Sequence, residues 1–125
     1  MRVLLVPWST GYAFTLRIYT QPLPRCINAA NVELRTFRGQ LIALKLLEKH
    51  AGEKTLTTYN PGHSLRMAVM LNVPDKVCRR LLAALASLSR IDGAALYGRV
   101  FEELGENPTL EKLEQALALT RLVEV

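Results

Sequence analysis

Residues 2–6, RVLLV, are apolar after a single arginine, the pattern of a strand covered on both faces. Pro7 and Ser9-Thr10-Gly11 interrupt it, and alternation resumes over 12–20. There Tyr12, Phe14, Leu16 and Ile18 fall on one side and Ala13, Thr15, Arg17 and Tyr19 on the other. The first set is expected to face the core. Residues 21–30 carry Pro22, Pro24 and Arg25 and read as loop, with room for a short strand around Cys26 and Ile27. Over 31–51 the spacing of Leu34, Phe37, Leu41 and Leu44 predicts a long helix with a core-facing stripe, capped at Asn31 and ended before Gly52.

Residues 54–59 have the β-branched and aromatic content of a further strand. Asn60-Pro61-Gly62-His63-Ser64 reads as a turn into a helix that starts at Pro61 or Ser64 and reaches Leu71. Pro74-Asp75 opens another helix to about Arg90, burying Val77, Leu81, Leu85 and Leu88. A helix over 94–104, burying Tyr97, Val100, Phe101 and Leu104, and a last helical segment from Asn107-Pro108 complete the chain. The expected fold is α+β: a small, mainly antiparallel sheet of three to four strands with a long helix packed on it, followed by a helical C-terminal half. One domain is expected over 1–125, with a strand and helix part at 1–71 and a helical part at 72–125.

Charge sharpens this picture. Residues 1–90 hold thirteen Lys or Arg against four acids, and residues 91–125 three against seven, so the formal charge of +5 divides into +9 and −4. Such segregation suits a polyanion at the front and a different task, such as self-association, at the back. Leu110, Leu113 and Leu117 recur at spacings of three and four, fitting either internal packing or a homodimer interface. Cys26 and Cys78 have no partner spacing and read as reduced thiols, and the apolar start is too short for a signal core or a membrane span. A cytoplasmic, soluble protein is expected.

The candidate chemistry lies within residues 8–49. Trp8, Tyr12, Tyr19 and Phe37 are interleaved with Arg17, Arg25, Arg35 and Arg38, and Glu33 and Glu48 are the only acids there. Rings that stack bases beside guanidinium groups that meet phosphates are what a single-stranded nucleic-acid surface needs. A core with a solvated basic rim has the same composition. On the expected helix Arg35, Arg38, Lys45 and Lys49 fall within an arc of about 80° at 100° per residue. Asn60, Gly62 and His63 could hold a phosphate at a helix start, with plain capping by Asn60 or Ser64 as the alternative. No residues form metal-ligand spacing, and no cofactor is implied.

The run FRGQLIALKLLEKHAGEKTLTTYN and the helix start expected after it, within residues 31–69, resemble the helix-strand-helix centre of the ribonuclease H-like fold. That family cuts RNA with two metal ions held by carboxylates. The matching positions here are Pro7 or Trp8, Thr36 and Asn60, none of them acidic. The resemblance therefore implies a scaffold without catalysis that keeps a grip on nucleic acid. A vaguer likeness is to atypical single-stranded-DNA-binding proteins of thermophilic archaea, which pair an aromatic, basic cleft with a leucine-rich C-terminal helix.

An enzyme is not expected: there is no Gly-rich phosphate loop with lysine, no nucleophile elbow, no HExxH and no CxxC. His63 has no acid nearby in sequence to orient it as a base, and His50 falls late in the long helix. The leading expectation is non-enzymatic binding of single-stranded DNA or RNA. The alternative is an adaptor or scaffold subunit that self-associates through its C-terminal helices.

Overall fold

The computed structural model describes residues 1–10, 13–21, 32–59, 66–91, 104 and 107–123. The element order is β1 (Arg2–Thr10), β2 (Ala13–Gln21), β3 (Val32–Leu34), α1 (Phe37–His50), β4 (Glu53–Tyr59), β5 (Arg66–Asn72), α2 (Asp75–Arg90) and α3 (Leu110–Val123). The five strands form one sheet in the order β3-β2-β1-β5-β4, antiparallel throughout.

The period-two alternation of β1 and β2 decides which side chains share a face. Val3 and Leu5 of β1, Leu16 and Ile18 of β2, Val32 and Leu34 of β3 and Leu71 of β5 join the buried residues of α1, α2 and α3 in one cluster. On the opposite face Leu4, Val6, Tyr19 and Ala68 form a second buried cluster, with Trp8 and Met70 packed against it. A strand that is apolar on both sides, as β1 is, belongs in the middle of a sheet, and β1 lies there.

The sheet has five strands rather than three to four, and the two additional strands are segments whose local pattern also fits a helix. Arg66–Asn72, expected as helix, is β5. Its apolar run fits either period, and the decision comes from pairing with β1 (Leu5↔Val69, Val3↔Leu71) and β4, a tertiary choice that local preference does not carry. The C-terminal part therefore follows a strand pair, and the helix-strand-helix order behind the ribonuclease H-like resemblance is helix-strand-strand here. The second segment is Val32–Leu34, expected as the start of the long helix and found as edge strand β3 paired to Leu16–Ile18 of β2.

The helix begins later because Thr36, not Asn31, is its cap: the Thr36 Oγ1 accepts the Gly39 N–H at 3.1 Å. This shifts the buried stripe to Gly39, Gln40, Ile42, Ala43, Leu46 and Leu47. Phe37 and Leu41, assigned to the core from their spacing, are exposed, and Leu44 is only partly buried.

Gln40 is the one buried polar side chain among the described residues. Strand β3 ends level with Leu16, and the Gln40 Nε2 donates to the carbonyls of both Phe14 and Leu34 at 3.1 Å. This amide fixes α1 against the ends of two strands. Gln40→Leu leaves both carbonyls without that donor, at about 1–3 kcal/mol for each buried group left unsatisfied. A fall in the urea midpoint at unchanged slope is the expected result, and an unaltered midpoint would contradict this role.

Helix α2 buries Cys78, Leu81, Ala84, Leu85 and Leu88, three of them as their spacing predicts, with Val77 partly buried beside them. Burial pushes the Cys78 thiol up from its ordinary pKa. At the start of α2 the Met1 ammonium donates to the Val73 carbonyl and to Asp75, which holds the Asp75 carboxyl below the usual range. Leu110, Leu113 and Leu117 of α3, with Ala116, are buried in the main cluster. They pack the interior and are not available as a dimer interface. Of the helix expected over 94–104, all but Leu104 lies outside the described residues; Leu104 is buried. No described helix is long and apolar enough to cross a membrane.

Candidate nucleic-acid interface

The residues that sequence grouped into one surface fall on opposite sides of the sheet. Trp8 lies on the face away from the described helices, as do Arg17 and Tyr19 by register with Val6 and Leu4. The α1 residues Phe37, Arg38, Lys45 and Lys49 lie in the helical layer on the other face. Arg35 precedes α1, exposed, 3.7 Å from Glu33. Tyr12, Arg25, Asn60, Gly62 and His63 lie outside the described residues.

On the Trp8 side, Tyr19 is fully buried and offers no ring to a ligand. Trp8 is half-buried, and an arginine from the strand on each side of β1 stacks over its indole: Arg17 Cζ stands 4.1 Å from the ring centroid and Arg66 Cζ 3.5 Å. Arg17 pairs with Val6, diagonal to Trp8. Counting on from Leu5↔Val69 sets Arg66 level with Trp8. Each stack contributes about 0.5–2 kcal/mol, so a base reaches Trp8 only by displacing an arginine. The open stacking platform expected at Trp8 and Tyr19 is therefore absent. Arg66 was not singled out from the sequence, because only the β1–β5 register brings it to Trp8.

The α1 side is different. Phe37 is 79% exposed and Phe14 54%, and the hydrogen bond from Gln40 to the Phe14 carbonyl holds that strand against the first turns of α1. At 100° per residue Arg38, Lys45 and Lys49 fall within about 40° of one another, and Leu41 and Phe37 border them on one side. Arg38 and Lys49 are exposed and Lys45 partly so. The acid on the bordering strip, Glu48, is held by Lys54 at 2.9 Å. Acidic residues are missing from the first turn of α1, and Lys49 and His50 occupy its last turn. The open Phe37 ring thus lies at one end of a basic row, and Phe14 lies near the same end of α1 but on the side of Gln40, which faces away from that row.

Among the described residues no three His, Cys, Asp or Glu side chains come together to hold a metal ion. No protein-family profile, curated protein or solved structure matches this chain.

Proposed function

We propose that the outer face of α1, together with Phe14, binds single-stranded nucleic acid without catalysing a reaction on it. The observation that supports this reading is the open ring of Phe37 beside the row of Arg38, Lys45 and Lys49. Phe37 and Phe14 stack bases, each base–aromatic contact contributing about 1–3 kcal/mol. The row extends about 16 Å at 1.5 Å per residue, enough to follow a few nucleotides of backbone. This surface keeps the aromatic and basic chemistry expected from the sequence while moving it from the Trp8 strand to the helix.

Labelled deoxy- and ribo-oligonucleotides titrated at two salt concentrations test it. Three phosphate contacts on a single strand give a slope of log K against log salt of about −2. Affinity that ignores salt, or no binding to either sugar type, would sink the proposal. Capture of a protein by the same face with little salt dependence would favour the adaptor alternative, with Phe14, Phe37 and Leu41 as its apolar contacts.

A further inference from the structure

We infer that the Arg17–Trp8–Arg66 stack on the opposite face of the sheet is a separate binding site for a phosphate group. The inference does not rest on the α1 surface. Two cations flank one indole, so their carbons are separated by no more than the two stacking distances, 4.1 and 3.5 Å, taken end to end. Like charges this close in a half-buried setting repel, and the surroundings answer them incompletely. Glu33 is the carboxylate beside Arg17, 3.8 Å from its Nε, and it is shared with Arg35 at 3.7 Å. Among the described residues Arg66 has no carboxylate partner.

The donors tell the same story. The Nε atoms of Arg17 and Arg66 are both buried and neither has a hydrogen-bond acceptor among the described residues, a state that buried polar groups rarely keep. The Arg17 side chain is nevertheless 23% exposed, so atoms other than Nε face solvent. A group that neutralises both guanidinium ions and accepts from their outer N–H donors is what the cluster lacks. The indole fills the space between the two Cζ atoms, so a tetrahedral oxyanion reaches both guanidinium groups at the ring edge, accepting bonds of about 2.9 Å from their outer N–H donors. The planar fork of each arginine suits phosphate in a way a lysine ammonium does not. The phosphate can come from a nucleic-acid backbone or from a terminal or free phosphomonoester; the recognising chemistry is the same.

Trp8 is the only tryptophan in the chain, so its fluorescence reports on this site alone. The full-length chain is titrated with inorganic phosphate and, at matched ionic strength, with potassium chloride. A saturable change with phosphate that chloride does not reproduce is expected. Arg66→Gln should raise the phosphate midpoint at least ten-fold, with Arg66→Lys falling between it and the native chain. Identical responses to the two salts, or a native midpoint in Arg66→Gln, would overturn the inference, the first without need of any variant.

Two further arms use a chain carrying Arg38→Gln, Lys45→Gln and Lys49→Gln, in which the α1 surface is disabled. A response to a 5′-phosphorylated oligonucleotide but not to its unphosphorylated twin supports the site and assigns it to phosphomonoesters; equal responses to both support it and assign it to backbone phosphate. A response to inorganic phosphate that vanishes in this triple variant would show that the signal arises at α1, and would overturn the separate site.

Discussion

Arg38→Gln, Lys45→Gln and Lys49→Gln combined should lower single-stranded oligonucleotide affinity about a hundred-fold at about 0.1 M salt. The estimate follows from counterion release: a slope of about −0.7 per phosphate makes each contact worth a factor of about five at that salt, and three act together. The same variant should flatten the salt dependence, and the two effects should appear in one titration series. Arg38 and Lys49 are exposed and Lys45 only partly covered, so circular dichroism and the unfolding midpoint should stay close to native. Phe37→Ala should cost about 1–3 kcal/mol of affinity through lost stacking while leaving the slope alone, because an uncharged ring releases no counterion. Near-native affinity in the triple variant would remove α1 from the interface altogether.

The other large effect concerns stability. Leu113 is fully buried in the cluster that α3 shares with α2 and the sheet. Leu113→Ala removes its methyl groups and leaves a cavity, at about 2–5 kcal/mol. Total stabilities run to about 5–15 kcal/mol, so this one change should take a large share and shift the urea midpoint accordingly. Light scattering on the same sample discriminates between roles: a leucine that packs the interior changes stability and leaves the mass of the particle unaltered, whereas an interface leucine changes the mass first. Leu56→Ala is the control, since Leu56 is 75% exposed on β4 and should move the midpoint by no more than about 0.5 kcal/mol.

What could be read in advance tracks how local the deciding interactions are. The stripe of α2 was legible because Leu81, Leu85 and Leu88 keep helical spacing after a clear Pro74-Asp75 start, and the helix obeys its own pattern. Strands β1 and β2 were legible from alternation over a short connection. β5 was not: MAVML satisfies both periods, and the partner that chooses between them begins at Arg2, far away in sequence. The stripe of α1 is not legible in the same way: Leu34 and Phe37 keep the spacing of one helical face, but Thr36 caps between them and Leu34 belongs to a strand.

The candidate site follows the same logic. Its residue types were visible as a density of aromatic and basic side chains within residues 8–49, but composition carries no information about which side of a sheet a residue occupies. Register does. Tyr19 is level with Leu4 and buried on one face, while Phe37 begins a helix on the other. Phe14 was assigned to the core by alternation and is open because it lies near the end of its strand, past the last residue of β3.

The place of β1 in the sheet also bears on the order in which the protein can assemble. Of the five strands of this sheet the central one, β1, comes first in the chain, and its pairing runs to Arg2↔Asn72, about seventy residues later in synthesis. Until then the β1–β2 hairpin has one edge without a neighbour, and that edge belongs to an apolar strand of the kind that recruits other chains. Until β5 is made, the free edge of β1 is therefore the part of this sheet most open to pairing with another chain.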